Sequence, residues 1–201
     1  MIKRFLFVIL LALLSQSQAL HAAKGPDEIV RGTIDAIMNA IENDEKIKSG
    51  DLQHTLKFVE EKVAPRFDFP RMTRLAVGRP WRQASPEQKA ELLDQFRKLM
   101  VRSYASAFTK FRGIVVEVQP LRPSEKEGEA FVRSLIRLPG GVQPISVDYD
   151  MQFIEGEWKV FDIQIDGASL IINYRNIFGQ EIDANGLDGL IDSLKVKNAS
   201  Q

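Results

Sequence analysis

Acidic residues at two-residue spacing are the first candidates for chemistry in this 201-residue chain. Asp148 and Asp150 lie two apart, so on a strand their carboxylates share a face about 7 Å apart. Such a pair could divide acid and base roles in a hydrolysis. The alternation that pairs them also sets them opposite Tyr149 and Met151, on the wet side of the strand. A solvated sheet face is the simpler reading, and it extends to Asp162 and Asp166. An isomerase-like site is the sharper enzyme idea, with one acid in an apolar pocket where burial raises its pKa. That site needs an Asp or Glu on the apolar side of a strand. Neither 142–154 nor 158–166 carries one there.

Basic residues form the second candidate. Residues 62–82 hold Lys62, Arg66, Arg71, Arg74, Arg79 and Arg82 against Asp68 alone. Such a segment could be a rim that meets phosphate headgroups or an acidic partner surface, or a set of solvated helical turns. Arg74, Arg79 and Arg82, with Trp81 between Pro80 and Arg82, are the residues expected at that rim. The chain has no cysteine and two histidines, His21 and His54. Disulfides, thiolate catalysis and Cys-ligated metals are excluded by composition. No catalytic set and no metal site is expected.

The elements that must position these residues follow from periodicity. Ile29, Val30, Ile34, Ile37, Met38 and Ile41 recur at helical spacing within 27–47. Leu52, Leu56, Val59 and Val63 form a second stripe, which Pro65 ends. "SPEQ" supplies Ser85 as N-cap, Pro86 at the first helical position and Gln88 three residues past the cap. The helix it opens carries Leu92, Phe96, Leu99, Met100, Tyr104 and Phe108 on one stripe to Gly113. At about 1.5 Å per residue its length is ~39 Å, enough to lie across a sheet. The period then drops to two over about 114–120, 130–138, 142–154 and 158–166, with turn chemistry between. Ile145, Val147, Tyr149, Met151 and Phe153 point one way. Phe161, Ile163 and Ile165 do the same on the next strand. From about Asn173 the helical period returns, and Gly186 interrupts it.

This order predicts an α+β fold. N-terminal helices and the long helix pack on the apolar face of a curled antiparallel sheet of about four strands, and helices close the chain. Such a cone-like domain often keeps an apolar cavity between sheet and helices, but the sequence leaves a solid core equally open. The start of the chain reads differently. Lys3 and Arg4 precede "FLFVILLALL", and small residues follow. A basic start, an apolar run of about ten residues and a small-residue exit describe a cleavable signal peptide over 1–23. An uncleaved anchor is the alternative. The remaining 24–201 is expected to be one soluble domain. Without Lys3 and Arg4 the chain carries 25 basic and 27 acidic side chains, a balance that gives no reason to expect nucleic acid.

Two segments and a hairpin resemble a known family. "GRPWRQASPEQKAELLDQFRKLMVRSYASAF" resembles its Gly–aromatic–Ser/Thr-Pro-x-Gln segment and long helix. "DGASLIINYRNIFGQEIDANGLDGLIDSLK" resembles its closing segment, and "GEWKVFDIQIDG" fits between them. Together with the leader, these are similar to the MlaC family, the periplasmic phospholipid-binding component of the Mla lipid-asymmetry pathway, also called the toluene-tolerance ABC-transporter auxiliary proteins. The resemblance implies a periplasmic carrier, not an enzyme. It would shuttle glycerophospholipid between an outer-membrane lipoprotein–porin complex containing MlaA and the MlaD ring of an inner-membrane ABC transporter. It implies no cofactor, phospholipid as cargo, and a monomer that contacts the membrane complexes transiently. On this reading Val147, Tyr149, Met151, Phe161, Ile163 and Ile165 line the cavity from the sheet. Ala168, Ser169 and Ile171 correspond to the family's Val/Ala-Ser-x-Ile turn on the pocket side. Phe96, Met100, Tyr104 and Phe108 close it from the long helix.

Overall fold

The computed structural model describes residues 24–105, 113–122 and 126–200. The expected signal peptide, the last turns of the long helix and Phe108 lie outside the described residues.

Helix α1 (Pro26–Asn43) starts where Pro26 fixes the first-turn φ and Glu28 reaches back to accept from the Gly25 N–H. Asp44 caps α2 (Glu45–Ser49), and Asp51 caps α3 (Leu52–Phe58). The chain then loosens into a π turn (Val59–Val63) and tightens into a 3₁₀ turn (Ala64–Arg66). Helix α4 spans Phe69–Val77 and is followed by a 3₁₀ turn, Arg79–Arg82. Helix α5 runs Pro86–Ala105 among the described residues. Its capping box forms as the sequence predicts. The Ser85 N–H donates to Gln88 Oε1 at 3.0 Å, and the Gln88 N–H donates to Ser85 Oγ at 3.1 Å.

Five antiparallel strands follow in simple meander order: β1 (Val115–Val118), β2 (Glu129–Arg137), β3 (Ile145–Ile154), β4 (Glu157–Ile165) and the short β5 (Ala168–Ser169). Two-residue turns join β3 to β4 and β4 to β5. Glu155–Gly156 and Asp166–Gly167 take positive φ throughout, which matches the strand twist. Helix α6 (Leu170–Ala199) completes the α+β fold, with helices at both ends of the sheet.

Three features differ from the sequence reading. First, the described part of α5, Pro86–Ala105, contacts the other helices more than the sheet. It packs on α4 and α6, and α1 crosses the apolar face to meet β1, β2 and β4. The Arg31 guanidinium fixes that crossing by donating to the Val118 carbonyl at 2.8 Å. Second, β4 carries a bulge. Asp150 pairs with Asp162 but Met151 pairs with Val160, so Phe161 is the extra residue. It leaves the apolar face and lies beneath the Arg71 guanidinium, 3.4 Å from its ring centroid. Third, the face expected to be wet is partly covered. Arg71 also pairs with Glu129 at 2.9 Å and bonds Gln152, which in turn bonds Asp68. Burial raises the Asp150 carboxyl above its ordinary range. Asp162 is buried and accepts the Ile163 N–H at 2.8 Å, the Ile171 N–H at 3.0 Å and the Ser169 hydroxyl. It therefore orients the first turn of α6.

Helix α6 is two helices joined at Gly186, whose φ of 72° and ψ of −175° break the helical run. The joint is pinned to α5, because Gln88 Nε2 donates to Asp188 Oδ1 at 2.7 Å. The capping segment of one helix and the glycine-rich segment of the other thus meet in space.

Candidate functional site: an apolar cavity between helix α1 and the sheet

The buried side chains fall into two clusters rather than one. The larger joins α4, α5 and α6, with Phe96 at its centre. The Phe96 ring meets Tyr174 and Phe178 edge-on at 5.0 and 5.2 Å. The smaller joins α1 to the sheet through Val30, Val118, Ala130, Val132, Met151 and Val160. Between them lies a cavity of about 460 Å³. Its walls come from both clusters, so it occupies the place where a continuous core would otherwise run.

Each wall follows from a local pattern. The α1 stripe supplies Ile29, Val30, Ile34, Ile37 and Met38. The π and 3₁₀ turns supply Val59, Val63, Ala64 and Arg66, followed by Phe67 and Phe69. The sheet contributes alternate residues: Val116 on β1, Ile136 on β2, Ile145, Val147 and Tyr149 on β3, and Val160, Ile163 and Ile165 on β4. The step from Val160 to Ile163 is the bulge. Met100, Val101 and Tyr104 reach in from the end of α5, and Leu170 from the start of α6.

Two hydroxyls on this face are internally satisfied. Thr33 Oγ1 donates to the Ile29 carbonyl at 2.8 Å. Ser134, fully buried on the same sheet face, donates to the Val147 carbonyl at 2.6 Å. Burial pushes the Tyr149 phenol up, so it stays neutral. A wall of this kind gives water almost nothing to bond, and apolar cavities stay dry. Two other depressions lie elsewhere, one around Asp44, Lys46 and His54 and one around Arg122, Arg133 and Asp148. Both are lined largely by polar and charged groups.

Of the residues expected at a cavity, Val147, Tyr149, Ile163, Ile165, Met100 and Tyr104 are in its wall. The others are placed differently. Met151 is fully buried in the smaller cluster without reaching the space, and Phe96 is fully buried in the larger. Phe161 is turned away by the bulge. Ala168 is exposed, and Ser169 caps α6 by accepting the Ile172 N–H at 3.0 Å. Ile171 packs among the helices, because α6 begins at Leu170 and the helical turn swings Leu170 to the cavity instead. Arg74, Arg79, Trp81 and Arg82 lie along α4 and the turn after it, outside the wall. Sequence reasoning missed α1 as a wall. Its stripe of Ile29, Val30, Ile34, Ile37 and Met38 reads like any core-facing helix stripe, so no separate signal marks it.

Fold and site together define an α+β domain built around a hydrocarbon-lined chamber that lacks carboxylates among its described lining residues. The chain belongs to the MlaC family: the family model described as MlaC protein matches residues 31–196. Among curated relatives, a toluene tolerance protein of Pseudomonas putida, ttg2D, is 24% identical over 175 residues, covering 85% of this chain and 80% of that protein. An intermembrane phospholipid transport system binding protein, MlaC of Haemophilus influenzae, is 24% identical over 183 residues, covering 90% and 85%. A solved structure, the phospholipid-binding protein of Ralstonia solanacearum in complex with a phospholipid, superposes with a TM-score of 0.80 at 34% identity. The match covers 88% of this chain and 98% of that one.

Proposed function

We propose that this protein is a periplasmic phospholipid carrier that holds acyl chains in the cavity between α1 and the sheet. The single observation that carries the reading is the cavity itself, an apolar space of about 460 Å³ where a globular core would close. Protein interiors otherwise pack like organic crystals. At ~24 cal/mol per Å³, leaving such a volume unfilled would forfeit on the order of 11 kcal/mol, comparable to the stability of a whole domain. Hydrocarbon is the natural filling, since the wall offers dispersion contacts and almost no hydrogen bonds.

Membership of the MlaC family and the phospholipid held by the Ralstonia relative support lipid as the cargo. On this reading Val147, Tyr149, Ile163, Ile165, Met100 and Tyr104 touch the tails, joined by the α1 stripe. The carrier would exchange lipid between the outer-membrane MlaA–porin complex and the MlaD ring of the inner-membrane transporter. Arg74, Arg79, Trp81 and Arg82 are proposed for partner docking rather than for the headgroup, because they lie outside the cavity wall. The proposal needs no chemical step. A carboxylate in the wall would be the mark of an isomerase-like enzyme, and Asp150, the half-buried acid with a raised pKa, lies on the opposite face of the sheet.

The test is solvent extraction of the purified protein followed by lipid mass spectrometry. Phospholipid at a defined ratio to protein is the expected result. Protein that comes away folded and lipid-free, and stays so after incubation with phospholipid vesicles, would refute the carrier reading.

A further inference from the structure

Among the described residues one charged side chain lines the cavity: Arg66, on the 3₁₀ turn between the π turn and α4. It is half-buried. Among the described residues two other arginines are comparably buried, and both have partners. Arg71 pairs with Glu129, and Arg102 donates to the Asn198 carbonyl. Among the described residues Arg66 has neither an ion pair nor a hydrogen bond from its side chain. The position is not a loose one. The Phe67 N–H donates to the Ala64 carbonyl at 3.1 Å, and the Asp68 N–H donates to the Val160 carbonyl at 2.8 Å. The turn is closed across Arg66, and the segment after it is tied to β4.

A guanidinium withdrawn partly from water, without a counter-charge, is costly to fold. Its planar fork fits two oxygens of a phosphate or carboxylate at once, and it is weakly hydrated for a cation. Inside a wall that otherwise offers mostly hydrocarbon contact, it is the one cationic group among the described residues that could meet the charged end of an amphiphile. We propose that Arg66 is the anion anchor of the cavity, pairing with the phosphate of the lipid whose tails fill it. This rests on the carrier reading and deepens it: the site then selects acyl lipids that carry an anionic group beside the chains over neutral ones. A fatty-acid carboxylate presents the same chemistry and is the second possible source of the anion.

The full-length folded protein, stripped of endogenous lipid, is incubated with vesicles containing phosphatidylglycerol and dioleoylglycerol in equal amounts. Bound lipid is read by native mass spectrometry. Wild type is expected to enrich phosphatidylglycerol about tenfold, the worth of one charge-assisted contact. R66Q should bring that ratio close to unity, and R66K should keep part of it. R66M, which retains the apolar stem, is the control should R66Q fail to fold. A parallel arm with oleate and oleyl alcohol separates the sources. Enrichment of oleate alone assigns the anchor to a carboxylate, and enrichment of phosphatidylglycerol assigns it to phosphate. Discrimination that persists in both R66Q and R66M, or a wild type that favours neither anionic lipid over its neutral counterpart, overturns the anchor alone. Failure of wild type to load any lipid overturns the carrier reading with it.

Discussion

Replacing Val147 with tryptophan is expected to deprive the protein of lipid without unfolding it. Val147 lies on β3 facing the cavity, opposite Ile165 on β4. The space of about 460 Å³ compares with roughly 30 Å³ for a water molecule or a methylene of similar size, so it accommodates on the order of 15 methylenes. At ~0.8 kcal/mol each, burying that much acyl chain is worth about 12 kcal/mol. Tryptophan brings about seven more side-chain heavy atoms than valine, compact ring atoms that claim roughly a fifth of the space and about 2.5 kcal/mol of that transfer energy. That is about two powers of ten in occupancy. The added ring enters an existing void rather than a packed core, so the usual overpacking cost of ~1–3 kcal/mol should be largely avoided. The assay is lipid-to-protein ratio by extraction and mass spectrometry, with circular dichroism and Tm on the same samples. Loss of lipid at unchanged or higher Tm supports the placement. Full loading in a folded V147W variant would refute it.

Phe96→Ala should behave in the opposite sense. It removes a fully buried ring from the helical cluster and should cost about 3–5 kcal/mol in urea unfolding, with lipid content retained in the folded fraction. Gly189→Ala should lower Tm by ~2–10 °C, since a Cβ at that position would come within 2.3 Å of Asn185 Cβ and the clash is worth ~1–3 kcal/mol. Glu129→Gln should flatten the acid limb of stability. Hydrogen bonds from Lys126 and then Arg71 hold the Glu129 carboxyl below its ordinary 4.5. Its contribution is therefore complete above that pH and is lost as pH falls through the lowered folded value. Tm measured stepwise from neutral pH downward should fall less in the variant than in wild type below pH 4.5, and parallel curves would count against the pairing.

Much of the scaffold is legible in the sequence because its signals are local. The Ser85–Gln88 box, the two-residue turns and the period-two strands each depend on residues a few positions apart. What escapes is set by long-range partners. Phe161 alternates correctly with Ile163, yet the register between β3 and β4 makes it a bulge and sends it to the other face. Asp162 looks like another wet-face acid, but the first turn of α6 arrives above it with unsatisfied N–H groups. Length also misleads. Length points to α5 as the lid, while the shorter α1 crosses the sheet, and composition alone carries no record of which helix packs where. The cavity wall was therefore foreseen on the sheet, where alternation dictates facing. It was missed on α1, where a core stripe and a cavity stripe are written with the same residues.

The most direct measurement is acyl-chain photolabelling. Phospholipid with a diazirine near the middle of one tail is loaded into the protein and irradiated, and the adducts are mapped by peptide mass spectrometry. The account predicts labels on Ile34, Met38, Tyr149 and Ile163, which face one another across the cavity. Labels confined to the opposite sheet face, at Phe131 or Leu135, would contradict it.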